Sequence, residues 1–233
     1  MVLSPRLALI AGLVPVGSRV CDVGTDHGRL PVYLREQDIC PFAIATDLNA
    51  DPLESSRRTA QSAGVTGIDF RLADGLDAVK PHEVDTVVMA GMGGETILGI
   101  LARAPWLCAS GYKLILQPQS KVPDLMDALA GGGYCVENQH LAEDAGKLYT
   151  VLEVTMGEMS TPVGGARYVH ESLLERGDPH LLAYLTGICD KLRRALRGLE
   201  QAEGTEDKRA EFTQALADLD KWRGDIQHEP ITC

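Results

Sequence analysis

Short apolar runs alternate with longer amphipathic stretches over residues 1 to 158, and this alternation constrains the fold more than any other feature of the sequence. The short runs have the length and the Val and Ile content of β-strands. Seven strands are predicted, at Arg19–Val23, Ala43–Leu48, Asp69–Leu72, Val84–Ala90, Lys113–Gln117, Tyr134–Leu141 and Tyr149–Met156. Helical periodicity fills most of the intervals, at Leu30–Gln37, Pro52–Ala63, Thr96–Ala104 and Val122–Ala130.

This pattern predicts an α/β fold, in which helices cover both faces of a mostly parallel sheet. The last two predicted strands follow each other without a helix, so we expect them to form an antiparallel edge. The strand count and the antiparallel edge together resemble the methyltransferase variant of the Rossmann fold.

A separate C-terminal unit is predicted after residue 158. Residues 157–167, GEMSTPVGGAR, have the Gly, Ser, Thr and Pro content of a linker. Apolar residues then recur at heptad spacing, at Leu181, Leu185, Ile188, Leu192, Ala195 and Leu199. Gly204 and Thr205 are a predicted helix stop and N-cap, and a second apolar stripe follows at Phe212, Leu216, Leu219, Trp222 and Ile226. We expect one domain over residues 1–158 and a coiled-coil-like α-helical hairpin in residues 167–233. The hairpin is either a structural or dimerisation element or a surface that grips a large substrate.

The formal net charge of −11 argues against a generic nucleic-acid-binding surface, which is usually basic. An RNA substrate would require cations gathered locally. The densest basic cluster lies on the first predicted tail helix and consists of Lys191, Arg193, Arg194 and Arg197.

The six cysteines show no CxxC spacing and no clustering with the six histidines, so no metal site is expected. Cysteines inside apolar runs suit a reducing cytoplasm, which is the predicted location. Residues 7–17, LALIAGLVPVG, have the length of a signal-peptide core, but no basic tract precedes them. No apolar run approaches the roughly 20 residues that span a bilayer.

The stretch CDVGTDHGRLPV, residues 21–32, ends a predicted strand and begins a helix. In open α/β sheets, ligands bind outside the carboxyl ends of the strands, and Gly24 lies at that position. The turn reads GTDHG and not GxGxxG, with Asp26 where a pyrophosphate would be repelled. An anion favours a cofactor that carries an ammonium and a sulfonium, so the turn favours S-adenosylmethionine (SAM) over NAD. The alternative is that Asp26 only caps the following helix.

Polar and glycine residues also follow the next strands. Asp47 stands 23 positions after Gly24, where an acid accepts hydrogen bonds from ribose hydroxyls. Asp74 and Gly75 follow the third strand, and their carboxylate and backbone amide are suited to an adenine edge. Three glycines in VVMAGMGGET, Gly91, Gly93 and Gly94, allow backbone to approach a ligand. At the end of the fifth strand, the amides of Gln117 and Gln119 are candidates for contact with a base edge.

At these residues the chain resembles the bacterial tRNA (adenine-22-N1)-methyltransferase family. The matching segments span nearly the whole chain in order. They are residues 3–34, ATDLNADPL (45–53), ADGL (73–76), VVMAGMGGETI (87–97), LILQPQ (114–119) and EDAGKLYTVL (143–152). GTDHG and AGMGG together are far more specific than a single glycine motif.

The resemblance implies a SAM-dependent enzyme that methylates N1 of adenine 22 in tRNA. The cofactor site that it implies comprises Asp22, Gly24, Asp26, His27, Asp47, Leu48, Asn49, Asp74, Gly75 and Gly91. Asp26 and His27 are the candidate catalytic residues, beside the base that is methylated. The candidate tRNA-binding residues are Arg6, Arg29, Gly93, Gln117, Lys191, Arg193, Arg194 and Arg197.

Three alternatives remain at this stage: a dinucleotide-dependent oxidoreductase, a SAM-binding or interaction protein without catalysis, and a methyltransferase acting on another RNA or a small molecule. The turn without GxGxxG argues against the first. The sequence does not decide whether the chain forms oligomers.

Overall fold

The computed structural model describes residues 1–199 and 204–228. Within those residues, seven strands form one sheet. They are β1 (Val20–Val23), β2 (Ala43–Asp47), β3 (Ile68–Leu72), β4 (Thr86–Gly93), β5 (Lys113–Ser120), β6 (Tyr134–Asp144) and β7 (Lys147–Met156). Their order across the sheet is β3-β2-β1-β4-β5-β7-β6. The first five strands pair in parallel, whereas β7 pairs antiparallel with both β5 and β6. The predicted parallel sheet with an antiparallel edge is confirmed.

Eight α-helices accompany the sheet in the described ranges. They are α1 (Pro5–Leu13), α2 (Arg29–Glu36), α3 (Ala50–Ser62), α4 (Gly94–Arg103), α5 (Val122–Gly131), α6 (Glu171–Glu175), α7 (Leu181–Leu199) and α8 (Glu206–His228). The four helices predicted between strands are present, with ends that differ by at most two residues. The helices α1 and α6 were not predicted from the sequence. None of the helices described is both long and apolar enough to cross a membrane.

Helix α1 occupies most of the stretch that resembled a signal-peptide core. Its Ile10 and Ala11 are buried in the core, and the Lys113 ammonium donates to the carbonyl of Leu13, 2.9 Å away. The helix begins with Pro5 directly after Ser4, which is a common arrangement at helix starts. The helix's own side chains are apolar on nearly all sides, so its sequence lacks the amphipathic periodicity from which the other helices are predicted.

The centre of the sheet is apolar on both faces. Val87, Val88 and Met89 of β4 and Leu114 to Leu116 of β5 are at most 1% exposed. Burial of each such side chain stabilises the fold by about 1.5–3 kcal/mol. The strands at the middle of the sheet are therefore a rigid support for the loops at their carboxyl ends.

The C-terminal helices α7 and α8 pack against each other as the predicted hairpin. Leu185, Leu192 and Leu219 are buried in their shared core. The helix α8 begins directly after Thr205. Residues 229–233, which end the predicted C-terminal domain, lie outside the described residues.

The C-terminal end of the predicted linker is folded and packs on the hairpin. Gly164–Arg167 form a 3-10 turn that packs on α8, where the amide of Gly165 donates to Asp218 at 2.8 Å. Arg167 joins Asp127 of α5 to Glu211 of α8. Local composition suggests a linker, but it does not reveal these contacts with residues far away in the sequence.

A buried glutamine connects the hairpin to the sheet. Gln139 of β6 is 1% exposed, and its amide donates to the Thr150 hydroxyl at 2.8 Å and to the Tyr168 carbonyl at 3.2 Å. Its amide oxygen accepts from the backbone N–H of His170 at 2.6 Å. The division into domains 1–158 and 167–233 stays a prediction, and these bonds link the two segments directly.

Candidate active site

A cleft of about 370 Å³ opens at the carboxyl ends of β1 and β4. The chain runs from β1 to β2 and β3 on one side of the sheet and returns to β4 on the other. This is the switch point at which open α/β sheets bind ligands. Asp22, Gly24 and Ala90 line the cleft from the strand ends, and Arg6 lines it from α1.

The GTDHG turn forms one wall of the cleft. Gly24 has φ +71, and a Cβ atom there would lie 2.4 Å from the Met92 side chain. The amides of Gly24 and Thr25 both donate to the carbonyl of Thr46, at 2.8 and 3.0 Å, so the turn is fixed to the end of β2. A side chain at position 24 would be strained by the positive φ, and the terminal methyl group of Met92 would have to move.

Asp22 is the buried charge of the cleft, at 6% exposure. The pKa of its carboxyl group is raised to about 6, chiefly by burial and also by the charges of Asp47 and Asp26, although the Thr25 hydroxyl acts to lower it. Within the described residues no ion pair reaches this carboxylate. A buried carboxylate without a cation is costly unless a ligand supplies the positive charge.

Asp26 and His27 stand at the rim of the cleft. The Asp26 side chain is 89% exposed, and its Oδ1 lies 3.2 Å from His27 Nε2. His27 Nδ1 lies 2.7 Å from the Ser55 hydroxyl of α3. Both ring nitrogens of His27 therefore face protein groups, and the exposed carboxylate of Asp26 is the freer of the two predicted catalytic groups. The N-cap of α2 is Gly28 without a side-chain cap, so Asp26 does not cap that helix.

The predicted ribose and adenine residues continue along the same edge of the sheet. Asp47 Oδ1 accepts from the backbone N–H of Asn49 at 2.8 Å, and Leu48 between them is 65% exposed. Asp74 pairs with Arg103 at 2.8 Å. The carbonyl of Gly75 accepts from the Thr46 hydroxyl at 2.8 Å. These bonds hold the loops after β2 and β3 together, although their residues do not line the 370 Å³ cleft itself.

Gln117 is fully buried, in contrast to the predicted contact with a base. Its Oε1 accepts from the backbone N–H of Gly91 at 3.0 Å and from Arg6 Nη1 at 2.7 Å. Its Nε2 donates to the carbonyl of Pro118 at 3.1 Å. Because all its polar atoms are satisfied inside the protein, Gln117 positions Arg6 and Gly91 and does not contact a base.

Replacing Gln117 with Leu should lower the free energy of unfolding by about 1–3 kcal/mol, because the Gly91 amide and the Arg6 guanidinium lose a buried acceptor. Urea denaturation measures this loss. The exposed neighbour Gln119 is the control, and Gln119→Leu should change stability by less than about 0.5 kcal/mol. Equal losses in both variants would contradict the assigned position of Gln117.

A family model described as a methyltransferase domain matches residues 3–152. The tRNA (adenine(22)-N(1))-methyltransferase of Bacillus subtilis is 32% identical over 164 residues, covering 70% of this chain and 69% of the relative. The chain belongs to the tRNA (adenine(22)-N(1))-methyltransferase family.

Solved structures share this fold over almost the full length of the methyltransferase. A Streptococcus agalactiae protein of the NADB-Rossmann superfamily matches with a TM-score of 0.84 and 29% identity, covering 96% of this chain and 98% of that chain. A Streptococcus pneumoniae protein, solved in complex with S-adenosyl-L-methionine, matches with a TM-score of 0.80 and 29% identity, covering 97% and 100%.

The other predicted substrate residues of the methyltransferase are spread over its surface. Arg29, the first residue of α2, is exposed at the rim of the cleft. Gly93 begins the turn into α4, and a Cβ atom there would lie 3.3 Å from the Ser120 hydroxyl. Both positions lie on the carboxyl side of the sheet, and their contact with substrate stays a prediction.

The predicted basic cluster of the methyltransferase divides between two faces of α7. Arg193 makes two bonds of 2.8 Å to Asp220 of α8, so its charge is paired. Arg193, Arg194 and Arg197 all line one exposed depression together with Asp190. Lys191 lies in a different groove, next to β7. Three of the four cations therefore share one surface, and Lys191 is separate from them.

Sequence reasoning missed several residues around the cleft of the methyltransferase. Ser4 and Leu7 of the N-terminal segment line it, and Ser55 orients His27 from α3. The Ser-Pro pair at residues 4–5 is the signal that predicts a helix start here. No local signal indicates that this helix lies over the strand ends.

Proposed function

We propose that this chain transfers a methyl group from SAM to N1 of adenine 22 in tRNA. The observation that carries the proposal is the buried carboxylate of Asp22, which no ion pair reaches within the described residues, at the switch point of a chain of this family. The site fits a cationic ligand, since an ammonium group would neutralise Asp22, and Gly24 lines the cleft beside it with backbone alone.

The strand ends supply the remaining contacts of the cofactor. Asp47 is placed to accept hydrogen bonds from ribose hydroxyls, with Asn49 beside it. The exposed Leu48 offers apolar surface to an adenine ring, and Asp74 and Gly75 offer polar groups to its edge. Gly91 completes the site at the end of β4, next to the position of the transferred methyl.

The chemistry that bound SAM supplies is an electrophilic methyl group on a sulfonium. Neutral adenine has a lone pair and no proton on N1, so the chain needs no general base before transfer. The chain aligns the reactants, which is worth up to about 7–11 kcal/mol. The carboxylate of Asp26, held by His27, stabilises the positive charge that the methylated base acquires.

The substrate has to expose the N1 edge of its base, so the adenine is unstacked at a cost of a few kcal/mol. Arg29 at the rim, with Lys191, Arg194 and Arg197 on the hairpin, supplies contacts to phosphates. The free cysteines Cys21, Cys40 and Cys189 are buried, which suits the cytoplasm, where tRNA is available.

The decisive test incubates the protein with unmodified tRNA and methyl-labelled SAM, followed by nucleoside analysis. We expect 1-methyladenosine in tRNA with adenine at position 22 and none in the same tRNA with guanine there. SAM should also raise the melting temperature, whereas NAD should not. SAM binding without methylation of any tRNA would support a non-catalytic SAM-binding protein, and methylation elsewhere would support another substrate.

A further inference from the structure

A second groove, of about 590 Å³, separates the sheet from the C-terminal hairpin. It runs from the end of β5 past the start of β7 to α7 and α8. We call it the lysine groove, after Lys121, Lys147 and Lys191 on its walls. Its volume lies within the range of about 300–1,000 Å³ of small-ligand sites.

The lysine groove is positive although the chain carries a net charge of −11. Its three charged lining residues are the lysines, and no carboxylate lines it within the described part of the chain. A cavity of similar size, about 630 Å³, lies beside residues 158–163, and its charged residues are Glu137, Glu158 and Glu171. The linings of these two cavities therefore carry opposite charges, and the lysine groove is the one that suits an anionic partner.

Two of the three lysines are free to bind a ligand. Lys147 and Lys191 are exposed, and no ion pair to either is found within the described residues. Lys121 is partly neutralised, because Glu95 and Asp124 lie 3.7 and 3.5 Å from its ammonium group. The charge of the groove therefore depends mainly on Lys147 and Lys191.

Aromatic rings lie between the lysines. The groove contains three of the six tyrosines of the chain, Tyr149, Tyr168 and Tyr184, and one of its three phenylalanines, Phe212. The hydroxyl of Tyr184 donates to the Tyr168 carbonyl, which turns its polar end inward. Lysines beside half-buried rings are typical of sites where phosphates are bound and bases stack.

The lysine groove begins beside the candidate active site. Arg6, which lines the cleft, stands over the ring of Tyr149 in the groove at 5.4 Å. The amide nitrogen of Gln119, also in the groove, lies 3.6 Å from the position of a Cβ atom on Gly91. A nucleic-acid strand bound in the groove would thus continue directly to the end of β4.

We infer that the lysine groove binds the RNA strand next to the nucleotide that is methylated. This inference rests on the proposed function and adds the path of the substrate. Lys147 and Lys191 bind phosphates, and Tyr149 stacks on a base adjacent to the target adenine. An acidic protein segment fits the lysines but gives no reason for the rings, so RNA is the better occupant.

The test compares paired variants that remove two positive charges each. Lys147→Gln with Lys191→Gln should weaken tRNA binding at least tenfold and reduce the slope of log Kd against log salt concentration by about 2. The matched control, Lys80→Gln with Lys221→Gln, removes two exposed lysines outside the groove and should stay within about twofold. Arg194→Gln with Arg197→Gln measures the other face of α7 separately.

Tyr149→Leu should weaken tRNA binding at least fivefold without changing the salt slope, since loss of base stacking costs about 1–3 kcal/mol.

SAM affinity, measured by calorimetry, should be unchanged in both lysine pairs. Equal tRNA affinity in the groove pair and the control pair would overturn the inference even if the wild-type protein methylates adenine 22. Displacement of tRNA by polyglutamate, but not by a single-stranded RNA of equal charge, would overturn it in favour of an acidic protein. Absence of methylation by the wild-type protein would instead overturn the proposed function.

Discussion

Replacing Asp22 with Asn is expected to weaken SAM binding roughly 100-fold, because removing one member of a buried charge pair costs about 2–5 kcal/mol. The same substitution should make the unliganded protein more stable. Asp22 is buried and makes no ion pair among the described residues, so its charge destabilises the unliganded protein. We therefore expect Asp22 to contribute to ligand binding and not to the stability of the fold.

The gain in stability depends on pH. In the folded protein the pKa of Asp22 is about 6, above the ordinary value of 3.8. Between these values the folded state holds a proton that the unfolded state has lost, so wild-type stability falls as the pH rises from about 4 to about 6. Above pH 6 the full penalty remains, up to about 3 kcal/mol at about 1.4 kcal/mol per pKa unit.

Thermal and urea unfolding at about pH 4 and about pH 7.5 measure this penalty. The amide that replaces the carboxylate is neutral, so the Asp22→Asn variant should exceed the wild type in stability at the higher pH and match it at the lower. Asp74→Asn is the control, because Asp74 is exposed and paired with Arg103. A variant that is less stable than the wild type at the higher pH, or that keeps full SAM affinity, would contradict the role of Asp22.

The sequence predicts those parts of the site that lie next to strand ends. Asp47 lies at the end of a predicted strand and Gly24 and Asp74 follow predicted strands, and parallel strands bring their carboxyl ends to one edge. A shift of one or two residues in a strand boundary leaves these positions unchanged. The pattern of the chain is therefore sufficient to place them together.

Contacts between distant segments were not predictable in this way. Gln117 follows the same pattern as the other polar residues, yet its amide turns inward because Arg6 and Gly91 supply donors. The lysine groove requires residues 121, 147 and 191 to meet, and their spacing carries no common period. Their proximity depends on the packing of the hairpin on the β6–β7 edge of the sheet, which Gln139 and Arg167 fix through bonds to Tyr184 of α7 and Glu211 of α8.

Replacing Asp26 with Asn should reduce the rate of methyl transfer about 100- to 1,000-fold at saturating SAM and tRNA, since one preorganised charge beside the reacting group is worth that much. Its side chain is 89% exposed and bonds only within the turn in the described residues, so the fold should not change. Single-turnover transfer measures the rate, and calorimetry gives SAM affinity separately. A rate of methyl transfer in the Asp26→Asn variant equal to that of the wild type would contradict the proposed catalytic role.

His27 provides the companion experiment, because its ring bonds to both Asp26 and Ser55. His27 has φ 57, and Asn tolerates this left-handed conformation better than most residues, so His27→Asn removes the bonds with little backbone strain. If His27 acts by positioning Asp26, the single variant should lose about tenfold in rate. The double variant should then be no slower than Asp26→Asn alone, since residues that act as a unit are not additive. Additive losses would mean that His27 contacts the base itself, and the carboxylate would then not be the sole stabiliser of the methylated product.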